Sequence, residues 1–262
     1  MPNFIPVDFD PFAEIREIEK ITLTNEPQRE IWLACVVGGA EANLSYNESV
    51  SLAIKGDLNF TFFKKAIDNL VLRHEALRST ISPNGETLIT YKDFPVDLEL
   101  ADISGTDKQK ELNASIKREI NTPLDLQQGP LFKVFLHKTG KSEYEFTIIK
   151  HHIIGDGWST GIILEDLSKM YNGYINNLDI SLDDPPQLSD YALSQANFKT
   201  THAFKQTEDY WLDLYKDNVP VMDMSTDNPR PATRTYKGNR FDYPLSKQFC
   251  RANKSHRCQK RQ

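Results

Sequence analysis

The chain is short of cysteine. Three in 262 residues, Cys35, Cys250 and Cys258, without framework spacing, exclude a disulfide-stapled secreted scaffold and fit a reducing cytosol. Long apolar runs are also lacking. The longest lie near IWLACVV, far short of the ~20 residues that a membrane-spanning helix needs. The N-terminal stretch MPNFIPVDFDPFAEIREIEK is acidic and broken by Pro2, Pro6 and Pro11, unlike a secretory signal. Nor is there an excess of positive charge: 31 Lys and Arg face 37 Asp and Glu, a formal net charge of −6, which argues against nucleic acid as the main partner. These absences predict a cytoplasmic protein with neither membrane nor nucleic acid among its partners.

What is present is ordinary globular material, 39% hydrophobic and 26% charged, enough for one large or two small domains. Residues 1–20 read as a lead-in linker. Asn25, with Gln28 three residues on and Pro27 between, predicts the capped start of a short helix. Val50, Leu52 and Ile54 alternate with polar and small residues as in a half-buried strand. Phe63, Ala66, Ile67, Leu70, Val71 and His74 follow the helical period over 60–77. Two short strands are expected around Pro95, a polar helix over 107–120, and an antiparallel pair from the apolar runs 131–136 and 144–154. A further helix follows Trp158 and is expected to stop at Asn172-Gly173, and another spans roughly 189–217. Trp32, Phe63, Leu70, Tyr210 and Trp211 are expected in the core, with His74 packed on its helix.

The stretch HHIIGDGWS, His151–Ser159, concentrates the chemistry. On a pleated strand, adjacent histidines point to opposite faces. That disfavours joint metal binding and leaves one ring against the core and the other toward a cleft. An imidazole in water titrates near ~6.5, so a cleft histidine can accept a proton near neutral pH. Asp156, at the start of the next helix, suits the helix dipole and can pair with a cation elsewhere. Gly157 permits a sharp turn and offers an unobstructed N–H to a developing oxyanion. A single histidine in an apolar strand is more often structural. Two histidines, an aspartate and a glycine at this spacing mark a candidate acid/base site.

HHIIGDGWS resembles the signature of the condensation domains of nonribosomal peptide synthetases, within the superfamily of chloramphenicol acetyltransferase-like acyltransferases. The short pattern also occurs in epimerization domains and wax-ester-type acyltransferases. LTNEPQREIWL (23–33), RHEALRS (73–79) and LSDYALSQ (188–195) resemble the first, second and fourth condensation motifs, in order. PLDLQQGPLFKV and DNPRPATRTYKG are similar to further family segments. The resemblance spans about 20–246. It implies an α/β fold, an α+β two-layer sandwich of the chloramphenicol acetyltransferase-like type. The implied division is an N-terminal lobe over 21–180, a connection and the start of a C-terminal lobe over 181–246, and a basic tail over 247–262.

For the site, the resemblance implies two catalytic positions, His152 and Gly157. His152 would act as general base toward an acceptor amine, or position that amine and steady the tetrahedral intermediate. The Gly157 amide would lie near the thioester carbonyl. Asp156 would be structural, held by a salt bridge to an arginine of RHEALRS, Arg73 rather than Arg78, while His151, Trp158 and Ser159 shape the site. The domain would bind no cofactor or metal of its own. Its substrates would ride on the phosphopantetheine of peptidyl, acyl and aminoacyl carrier proteins, and the lead-in resembles that of domains following a polyketide module, so a neighbouring synthetase or polyketide module is a further expected partner.

The end of the chain departs from the family. The motifs of a second lobe are absent, and from about Ala252 the resemblance is expected to stop. Six Lys and Arg fall between Ser246 and Gln262, with almost no apolar residue, which reads as disordered. Cys250, His256 and Cys258 match no standard metal spacing. The expectation is a C-terminally truncated domain, weak or inactive alone. Two other readings remain: another acyltransferase with a free alcohol or amine acceptor, and a non-catalytic carrier-binding remnant.

Overall fold

The computed structural model describes residues 16–105, 107–222, 224–232, 235–238 and 245–249. Strand β1, Ile18–Leu23, begins inside the stretch expected to be a lead-in. It is recruited by pairing with a distant strand, which local composition does not record. Helix α1, Glu26–Ser45, starts as predicted: the Asn25 side chain accepts from Gln28 N at 2.9 Å, and the Gln28 side chain accepts from Asn25 N at 3.1 Å. The helix runs well past the short segment expected. It bends at Gly39, whose φ of 63° suits a residue without Cβ.

The next elements are β2 (Asn47–Lys55), α2 (Phe60–Arg73), β3 (Ser79–Ile81), β4 (Thr87–Tyr91), β5 (Leu100–Asp102), α3 (Lys108–Ile120), β6 (Phe132–Gly140) and β7 (Glu143–His151). A four-stranded sheet has the order β2-β7-β6-β5, with β5 parallel to β6 and the other pairs antiparallel. A smaller antiparallel sheet has the order β1-β4-β3. The β6–β7 hairpin is the predicted pair.

The larger sheet has helices on both faces. Phe146 of β7 pairs with Leu136 of β6, and the adjacent Glu145 with His137, so these two pairs face opposite ways. Phe63 of α2 meets Phe146 edge-on at 5.0 Å between ring centroids. On the other face, Ser115 of α3 lies 3.0 Å from the His137 ring. Helix α2 buries Phe63, Ala66, Ile67, Leu70 and Val71, the positions its period predicts. It ends at Arg73, earlier than expected, because His74 is extended and Glu75–Arg78 form a separate 3-10 turn. Gln187 brackets that break, accepting from Glu75 N at 3.0 Å and donating to Arg73 O at 2.9 Å.

Helix α4, Gly157–Ile175, continues through Asn172-Gly173. Gly173 is there for close approach, not termination: a Cβ on it would lie 2.3 Å from Ile180 Cγ1. The long helix expected over 189–217 is two, α5 (Leu188–Phe198) and α6 (His202–Leu214), with Thr201 capping the second. Tyr210 and Trp211, expected in the core, are 61% and 51% exposed, and α6 buries none of its residues. Its helical period is genuine, but no described element covers its apolar face. Trp32 is only partly buried, while Phe63 and Leu70 are core residues. Among the described residues, no helix is long and apolar enough to cross a membrane. Most of the basic tail, with Cys250, His256 and Cys258, lies outside the described residues.

Gly173→Ala is expected to lower stability by ~1–3 kcal/mol through overpacking against Ile180. Urea unfolding should show a lower midpoint with an unchanged slope.

Candidate active site

The end of β7 separates the two histidines. His151 is fully buried. Its Nδ1 accepts from Ile153 N at 3.2 Å, its Nε2 lies 4.0 Å from Cys35 Sγ, and its ring packs against Tyr46. His152 falls on the other side, with 38% of its side chain exposed, in the wall of a cavity of about 500 Å³. Gln28, Ile31, Leu77, Ile163 and Tyr191 also line that cavity. Ile153 and Ile154 are buried and anchor the 3-10 turn that follows. Gln28 ties that turn to α1, its Nε2 donating to Ile153 O at 3.0 Å. The capping pattern announced Gln28 in sequence, but not this second bond.

Asp156 is the N-cap of α4. Its carboxylate accepts from Ser159 N and Ser159 Oγ, both at 2.9 Å, while Ser159 Oγ accepts from Asp156 N at 3.2 Å. Those bonds from Ser159 hold the Asp156 carboxyl below its usual range. The expected Arg73–Asp156 salt bridge is absent. Arg73 Nε lies 2.9 Å from Asp166 Oδ2, and His74 Nε2 is 2.9 Å from the same oxygen. Asp166 lies ten residues farther along α4, about 15 Å at ~1.5 Å per residue, and α2 delivers Arg73 there because it packs alongside α4. Burial pushes Asp166 up, but the hydrogen bonds from Arg73 and His74 outweigh it and hold the group low. Burial also pushes His74 down, against the opposing pull of Asp166. Arg78 pairs instead with Glu19 at 2.5 Å.

The site thus brings together His152, Asp156 and Ser159. Gly157 is the first residue of α4, where N–H groups have no intrahelical acceptor. Trp158 is 82% exposed. His74, expected to be a packed helix residue, lines the cavity. Sequence reasoning missed Lys150 and Glu48 altogether. Lys150 is nearly fully buried; its ammonium contacts Glu48 and donates to Gly155 O at 2.7 Å. Glu48 Oε1 lies 2.7 Å from His152 Nδ1, close but not a completed hydrogen bond. The available signal was a lysine inside an apolar strand, two residues before a histidine. Its partner becomes visible only through register. Among the described residues, no group of three or more His, Cys, Asp or Glu is placed to hold a metal ion.

A family model described as condensation domain matches residues 18–259. The chain belongs to the condensation-domain family. The match begins slightly before and runs beyond the 20–246 expected, so family resemblance does not stop near Ala252. This condensation domain is similar to part of surfactin synthase subunit 2 of Bacillus subtilis (strain 168), 33% identical over 232 residues, covering 87% of the chain and 6% of that protein. It is 32% identical over 206 residues to part of tyrocidine synthase 3 of Brevibacillus parabrevis, covering 79% of the chain and 3% of that protein. The starter condensation domain of rhizomide synthetase matches with a TM-score of 0.68 at 22% identity, covering 75% of this chain and 48% of that one. The first condensation domain of the calcium-dependent antibiotic synthetase, solved with a substrate analogue, gives 0.66 at 22%, covering 77% and 49%. These likenesses show the fold, the α/β sandwich of condensation domains, of which the chain spans about half the length.

Burial first, and then the neighbouring His152 and the Lys150 ammonium, push the His151 imidazole down to about 4. Between that value and the ~6.5 of an unfolded chain, the unfolded state binds a proton that the native state does not. Stability is therefore complete above pH ~6.5 and falls as pH drops, by about 3 kcal/mol in total near pH 4. Comparison of urea midpoints at about pH 7 and pH 5 should show this loss in the wild type and a smaller one in His151→Gln.

Proposed function

We propose that this domain carries the histidine side of a condensation site, forming an amide between two carrier-tethered substrates. The acceptor is an aminoacyl group and the donor an acyl or peptidyl group, each a thioester on the phosphopantetheine of a carrier protein. The amine nitrogen attacks the donor carbonyl carbon, the C–S bond breaks, the thiolate leaves on the donor carrier, and the amine proton ends on that sulfur. The observation that carries this reading is the placement of His152 in the wall of the cavity of about 500 Å³, beside the N-terminus of α4, while His151 is committed to the core.

In this scheme His152 takes the amine proton, or accepts a hydrogen bond from the amine and steadies the tetrahedral intermediate. Gly157 offers its N–H to the carbonyl oxygen as negative charge develops there, supported by the partial positive charge at the start of α4. Asp156 and Ser159 hold that helix start. The apolar wall, with Ile31, Leu77 and Ile163, suits the uncharged arm of a pantetheine thioester and excludes the water that would hydrolyse it. Partners on this reading are carrier proteins and the neighbouring module, a polyketide module being one candidate.

A second reading is a carrier-binding module without turnover. Product formation from loaded donor and acceptor carriers should separate the readings. His152→Ala is expected to lower kcat by roughly 10²- to 10⁴-fold, the usual contribution of a general base, with carrier binding retained. Turnover that survives this substitution would overturn the role of His152. Carrier binding by a wild type that forms no product would establish the module.

A further inference from the structure

Glu48 has no part in the scheme above, yet its carboxylate lies against the inner edge of the His152 ring. Strand register explains its position. Glu48 of β2 is directly opposite Lys150 of β7, so both project from one face of the sheet. His152 follows Lys150 by two residues and falls on that same face. The Lys150 side chain is 2% exposed, and an ammonium so buried needs a counter-charge. One Glu48 oxygen, Oε2, supplies it, and Gly155 O accepts a further bond from the same ammonium at 2.7 Å. The other oxygen, Oε1, is 2.7 Å from His152 Nδ1. That ring nitrogen is buried and has no hydrogen-bond partner among the described residues. The exposed part of the ring is therefore the edge away from Nδ1, which carries Nε2.

We propose that Glu48 is a positioning residue for His152: the Lys150 ammonium holds one carboxylate oxygen, and the other keeps the ring with its proton on Nδ1 and the Nε2 lone pair toward the cavity. The physical requirement is simple. An ionised carboxylate can only accept, so the nitrogen facing it must donate, and a neutral imidazole carries a single N–H. A carboxylate at Nδ1 therefore selects the tautomer whose Nε2 can take a proton or a hydrogen bond. Lys150 contributes indirectly. It fixes the carboxylate from behind and, through Gly155 O, ties the same charge pair to the turn that starts α4. The alternative is that Glu48 is only the counter-ion of Lys150.

The inference rests on the proposed role of His152, but its primary test does not require turnover. Ring ¹⁵N shifts of the labelled full chain above pH ~8 report which nitrogen carries the proton, with His152 assigned from the signal missing in His152→Gln. Wild type is expected to show protonated Nδ1 and bare Nε2. Glu48→Gln presents an amide in place of the carboxylate and should shift the ring toward the Nε2–H form. Because a stranded Lys150 could unfold a single variant, the double variant Glu48→Ala/Lys150→Met removes both charges together and should show the same shift in a folded chain. Retention of the Nδ1–H form in the folded double variant would overturn the proposal and leave Glu48 as a counter-ion. With loaded carriers, Glu48→Gln should lower kcat ~10-fold or more with KM for the acceptor little changed. A tautomer shift without that loss would stand against the function assigned to His152 and leave the orientation by Glu48 intact.

Discussion

Strand β7 is paired on both sides, and its register decides what the site contains. Its side chains alternate strictly, so Phe146, Ile148 and Lys150 share one face, and Thr147, Ile149 and His151 the other. A slip of one residue would exchange the two histidines, placing His151 by the cavity and burying His152. Register is held from both flanks by β2 and β6, and by the Phe63–Phe146 contact that seats α2 on the sheet. The hydrophobic core thus does more than stabilise the fold. It determines which imidazole faces the cavity.

The same register puts a cation where an apolar residue would be expected. Lys150 sits at the end of a buried run and is tolerable only because Glu48 lies opposite it and Gly155 O lies within reach. Loss of one member of such a pair is far more costly than loss of both. At this one place two strands, a turn and a helix start are joined by charge. The α2–α4 seam uses a similar device, with Arg73 and His74 sharing one oxygen of Asp166. Both devices border the cavity, so polar groups within a mainly apolar layer are concentrated around His152.

Local signals were legible in sequence where a few neighbouring residues decide the outcome. The Asn25–Gln28 capping box, the buried face of α2 and the β6–β7 hairpin follow from caps, a period of 3.6 and turn chemistry. Elements whose extent depends on distant partners were misjudged. Ile18–Lys20 join a sheet because β4 is there to pair with. Gly173 resembles a helix stop in sequence, yet it gives room to Ile180. Tyr210 and Trp211 show the pattern of core residues on a helix that no described element covers.

The site divides along the same line. HHIIGDGWS by itself determined that a strand hands over to a helix at Asp156 and that its two histidines part company, because pleat and capping are local properties of the backbone. It also carried the family resemblance that the comparisons confirm. Tertiary structure alone decided the partners. Arg73 reaches Asp166 and not Asp156 because α2 runs alongside α4, and Glu48 reaches Lys150 and His152 because β2 pairs with β7 in one register. Residues about a hundred positions apart meet only when strands and helices pack, and a charge in a sequence does not say which opposite charge it will meet.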